Sequence, residues 1–82
     1  MTITNKTSVT FEILRGELKP NQSKEYPEMI FNTLTINSEI GSCIITTEYS
    51  QRSFKNYGKL VAKKDRKKNE HGMKNILVSS ID

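Results

Sequence analysis

Along most of this chain apolar and polar positions alternate with a period of two. In "SVTFEIL", Val9, Phe11 and Ile13 fall on one side and Ser8, Thr10 and Glu12 on the other, as in a strand with one buried face. Arg15-Gly16 breaks the run and Leu18 begins a short return. "KPNQSK" then supplies a turn, with Pro20 preset for its second position and Asn21 tolerant of the conformation that follows. Pro27 cannot donate a ladder hydrogen bond, so "KEYPEM" reads as an edge or as the entry to the next strand.

In "MIFNTLTIN", Ile30, Asn32, Leu34 and Ile36 share one face and Met29, Phe31, Thr33 and Thr35 the other, so the segment is amphipathic only over Leu34 to Ile36. "NSEIGS" closes it as a loop. "CIITTEY" is a further strand rich in β-branched residues, with Cys43, Ile45, Thr47 and Tyr49 alternating with Ile44, Thr46 and Glu48. "SQRS" reads as a polar connector. "FKNYGKLVAKK" reads as one strand, with Leu60 and Ala62 facing one way and Gly58 marking a bulge or bend. A helix from Lys59 to His71 competes with it on propensity, but only Leu60 and Val61 there are large and apolar, so that helix lacks an anchoring face. "NILVSSI" is the last strand, after a turn at His71-Gly72.

These elements predict an all-β fold, a small antiparallel sandwich or partly open barrel of five to six short strands, with at most one short helix. Residues 1–82 form one domain, with a basic loop or hairpin around residues 52–74. A domain this short has a thin core and modest stability.

Charge sharpens the picture because it is unevenly distributed. Residues 1–51 carry four basic and six acidic groups, a balance of −2, whereas residues 52–74 carry nine basic groups against Asp65 and Glu70, a balance of +7. Nothing approaches the run of about 18 apolar residues needed to span a bilayer, and the N-terminus lacks the basic-then-apolar layout of a secretory signal. The expectation is a cytoplasmic protein with no transmembrane segment. The "NKT" at Asn5 and "NQS" at Asn21 are then chance matches to the glycosylation pattern.

The chain offers little catalytic chemistry. One cysteine, Cys43, and one histidine, His71, cannot make a Cys/His zinc site, and no metal or other cofactor is expected. His71 reads as a solvated loop residue and Cys43 as a small buried hydrophobe. There is no phosphate-cradling glycine loop and no marked pairing of a hydroxyl with a base. The expectation is a binding protein rather than an enzyme.

The basic segment is the candidate site. Arg52, Lys55, Lys59, Lys63, Lys64, Arg66, Lys67, Lys68 and Lys74 would neutralise phosphates, while Phe54 and Tyr57 would offer faces on which unpaired bases stack. Contact with nucleic acid or another polyanion is the first expectation. The alternative is a protein-interaction module, an inhibitor or accessory subunit, that docks an acidic protein surface through the same patch or offers an exposed strand edge; a homo-oligomer is compatible with either. The bland alternative is a solvated edge whose lysines keep sheets from pairing.

Overall fold

The computed structural model describes residues 1–26, 33–48, 51–65 and 75–81. These residues form nine strands: β1 (Thr2–Asn5), β2 (Phe11–Ile13), β3 (Gly16–Leu18), β4 (Ser23–Glu25), β5 (Thr33–Ser38), β6 (Gly41–Glu48), β7 (Gln51–Gly58), β8 (Leu60–Lys64) and β9 (Asn75–Ser80). They make two sheets, one in the order β4-β1-β9-β8 and the other β3-β2-β5-β6-β7. The all-β expectation holds, and no helix occurs among the described residues. The strand number exceeds five to six because β1 and β4 are too short and too polar to stand out as apolar runs and because the strand drawn across Gly58 is two.

The alternation read from the sequence places the core. Phe11 and Ile13 from β2, Leu34 and Ile36 from β5, and Cys43 and Ile45 from β6 turn inward to meet Ile3, Leu60, Ala62, Ile76 and Val78 from the smaller sheet. Between them stand exposed positions such as Glu12, Thr33 and Thr35, the pattern of sheets that each bury a single face. The anticipated return at Leu18 is β3, which pairs antiparallel with β2. The turn at Pro20 and Asn21 is also present: Gln22 N donates to Lys19 O at 3.0 Å, and Asn21 has a φ of 63°, as the third position of a type II turn requires.

Several expectations need correction. Not every strand pair is antiparallel, since β1 runs parallel to β9, with Ile3 opposite Ile76. The chain's first and last strands meet here, and everything between them serves as the connection that a parallel pair demands. "NSEIGS" is not a loop throughout: Ser38 and Gly41 are ladder partners, so only Glu39 and Ile40 make the turn. The last three residues of "SQRS" are no connector, because Gln51, Arg52 and Ser53 already belong to β7 and pair with Glu48, Thr47 and Thr46. The single strand drawn across Gly58 is two strands in different sheets, and Leu60–Lys64 is strand rather than the competing helix. The expectations for Pro27, Met29 to Asn32, Tyr49, His71 and Gly72 lie outside the described residues.

The break after β2 also falls one residue earlier than Arg15-Gly16. Leu14 and Arg15 carry the positive φ values, 47° and 61°, and Gly16 is the first residue of β3. Two successive left-handed residues make the tight hairpin turn that Asn-Gly favours, and side chains with a Cβ are strained there. Leu14→Asn with Arg15→Gly is therefore expected to stabilise the fold by about 1–2 kcal/mol. The check is an upward shift of the urea midpoint without a change of slope.

Cys43 occupies a fully buried core position between Ile36 and Asn56 in the ladder. Burial pushes its thiol up from 9.0 to about 11, because the charged thiolate is disfavoured away from water. In the unfolded chain the thiol ionises first, so folding stability is expected to fall as pH rises from about 9 to about 11. At neutral pH a disulfide reagent should label Cys43 only at the rate at which the protein opens; fast labelling in native buffer would contradict the buried placement.

Candidate functional site

Four consecutive passages of the chain between the sheets define where the candidate residues end up. β1 leads to β2 through Lys6–Thr10, and β3 to β4 through Lys19–Gln22; the others are the segment after β4 and the corner at Gly58-Lys59. At that corner Gly58 has a φ of 67°, Lys59 N donates to Ile40 O at 3.0 Å, and Ile81 N donates to Lys59 O at 2.8 Å. Lys59 is thus fixed at the end of the sandwich occupied by the β5–β6 turn and by the close of β9.

Arg52 lies at the opposite end. Burial lowers the pKa of the Met1 amine and the nearby Arg52 charge lowers it further; that amine donates to Tyr26 O at 3.1 Å. Arg52 itself is half-buried, with Nε and Nη1 shielded from solvent, and desolvation lowers its pKa. It differs in kind from the exposed lysines.

Strand alternation separates the rest. Lys55 and Tyr57 share the outer face of the larger sheet, paired across the ladder with Ile44 and Ser42. Phe54 stands opposite Ile45 on the inner face and packs against the core. The two aromatics therefore point to opposite faces of β7, and only Tyr57, at 50% exposure, presents a free ring. Lys63 and Lys64 are exposed neighbours on β8 with opposite facings, Lys63 beside Leu77 and Lys64 beside Ile76. From Lys59 to Lys64 the chain runs roughly 16 Å along a strand. The exposed cations Lys55, Lys59, Lys63 and Lys64 thus lie along β7, β8 and the corner that joins them, but Lys55 and Lys63 project from the outer faces of different sheets and form no single patch. Arg66, Lys67, Lys68 and Lys74 lie outside the described residues.

That side has a further property, which comes from strand order. Among the described residues β7 and β8 are both edge strands, each at the end of its own sheet. The remaining edges, β3 and β4, are three residues long. The β3 edge is also capped, because Lys24 Nζ donates to Glu17 O at 2.8 Å. On β8, Ala62 N finds Asn56 Oδ1 at 3.2 Å. β7 is eight residues long, lacks proline, and is exposed at Gln51, Ser53, Lys55, Asn56 and Tyr57. From Ser53 to Lys55 no side-chain cap of the Glu17 or Ala62 kind protects its outer backbone among the described residues. Short strands, caps and charges are the usual means of blunting a sheet edge; over this stretch of β7 only Lys55 serves among the described residues.

Other features of the described residues are less suggestive. No group of three or more His, Cys, Asp or Glu side chains is arranged to hold a metal ion, and no helix is long and apolar enough to cross a membrane. Shallow polar hollows of about 510 and 370 Å³ flank the single Glu12–Asn37 bridge between β2 and β5. The "NKT" asparagine is buried, and its amide nitrogen donates to Val9 O and Leu18 O, so it is unavailable for glycosylation in the folded protein. No protein-family model, curated protein or solved structure matches the chain.

Proposed function

We propose that this protein is a small non-enzymatic interaction module that docks an extended segment of another protein along the open edge of β7. The observation that carries the reading is the contrast among the four sheet edges: two are three residues long, one has a backbone donor capped by Asn56, and β7 runs eight residues with its Ser53–Lys55 stretch uncapped among the described residues. Strand addition draws its affinity from main-chain hydrogen bonds along such an edge and its specificity from alternate side chains. Displaying random extended peptides and selecting binders at near-physiological salt is the test. Selected peptides are expected to slow amide exchange in β7 and to bind equally after nuclease treatment. Binders that map elsewhere would overturn the reading.

A second reading, contact with nucleic acid or another polyanion, draws on the +7 balance of residues 52–74 and on the exposed Tyr57 ring. It calls for affinity that falls steeply with salt and for Lys55→Glu with Lys63→Glu to weaken binding to all sequences alike. Its support is weaker, since Phe54 packs inward and the described lysines have several facings.

A further inference from the structure

Resting on the edge-docking reading, we infer that the segment β7 accepts is one in which acidic and apolar side chains alternate. A strand laid against β7 sends successive side chains to opposite faces. Those on the inner face lie beside Phe54, which is only partly buried although it packs against the core; an apolar side chain there covers the rest of the ring and extends the core by one strand. Those on the outer face lie beside Ser53, Lys55 and Tyr57, all exposed. The only charge in that row among the described residues is Lys55. Opposite charges directly across a ladder attract and like charges repel, so the outer-facing positions of the guest favour Asp or Glu and reject Lys or Arg.

A second copy of this chain is a poorer guest. β7 has no acidic residue, so β7 paired with itself gains no charge complement and, when centred on Lys55, sets two lysines face to face. A nucleic acid strand would take up the lysines but has no amide edge with which to continue the sheet.

The test uses the full chain, isotopically labelled, with a capped octapeptide alternating Glu and Val. Three comparison probes accompany it: the same peptide with Lys for Glu, the same peptide N-methylated along one edge, and a single-stranded oligouridylate. The Glu–Val peptide is expected to slow exchange of amides between Ser53 and Tyr57. Exchanging Glu for Lys should weaken binding about tenfold, as should N-methylation. Lys55→Glu should reverse the preference toward the lysine peptide. If the lysine peptide protects β7 as well as the acidic one, the acidic chemistry falls and edge docking stands. Equal binding of the N-methylated peptide reduces the site to a charged patch and overturns both. The inference is also overturned by a β7–β7 dimer that excludes the peptide, by protection of β7 with oligouridylate alone, or by no protection with any peptide.

Discussion

Replacing Asn5 with alanine is expected to cost about 3–5 kcal/mol of stability, a large fraction of what a small domain has. Asn5 ends β1 at the first passage between the sheets and is fully buried. Its amide nitrogen donates to Val9 O at 2.8 Å and Leu18 O at 2.9 Å, while its Oδ1 accepts from Thr7 N at 2.9 Å and Thr7 Oγ1 at 2.6 Å. Its backbone is engaged as well, with Asn5 N donating to Gln22 O and Asn21 N donating to Asn5 O. One side chain thus tethers the passage into β2 to the end of β3. Truncation leaves the Thr7 amide hydrogen without its acceptor and takes a donor from Leu18 O and from Val9 O, the latter keeping Thr7 Oγ1 at 3.2 Å; each buried group left unsatisfied costs about 1–3 kcal/mol. Asn5→Asp should be no better: it keeps the acceptor but loses both donors and buries a charge facing two carbonyls. Urea unfolding measures the loss, with the exposed Asn37→Ala as a control expected to stay within about 0.5 kcal/mol.

Gly41→Ala is expected to be the other severe substitution, at about 3 kcal/mol. Gly41 and Gly58 face each other at the end of the β6–β7 ladder. A Cβ on Gly41 would lie 2.3 Å from Tyr57 O and 2.9 Å from Lys59 N, and one on Gly58 would lie 2.7 Å from Ile40 O. These are backbone atoms, so no side-chain rotation relieves the overlap; the strands must part. At Gly58 the positive φ adds backbone strain to the overlap. Because the two glycines share one contact, the double substitution should cost less than the sum of the singles. Gly16→Ala is the contrast: its Cβ would meet only Ile13 O, at an ordinary 3.5 Å, and its effect should be small.

The parts of the fold legible in the sequence were those where alternation and burial coincide. β2, β5, β6 and β9 each place two apolar residues inward, with a polar residue between them in β2 and β5 (Glu12, Thr35) and a half-buried apolar one in β6 and β9 (Ile44, Leu77). β1 was hidden because one of its two inward positions is taken by Asn5, a polar residue whose partners come from distant parts of the chain. β4 was hidden because all its residues are exposed, and its pairing with β1 alone makes it a strand. At the candidate site, the charge excess was plain from composition, but the openness of β7 was not. Gln51, Arg52 and Ser53 look like a connector locally, and only the order of strands in the sheet makes them an edge. The one local signal was period-two spacing of Arg52, Phe54 and Asn56, weak because Phe54 is its sole apolar member.

Amide hydrogen exchange of the free protein, resolved residue by residue from Ser53 to Tyr57, tests the open edge without any partner. In an edge strand alternate amides bond to the neighbouring strand and the rest face away. The expected result is alternation within β7, with slow amides that bond to β6 and fast ones between them, set against uniformly slow exchange in β6. Uniform protection throughout this part of β7 would mean that its outer side is already covered, and would contradict the proposed docking edge.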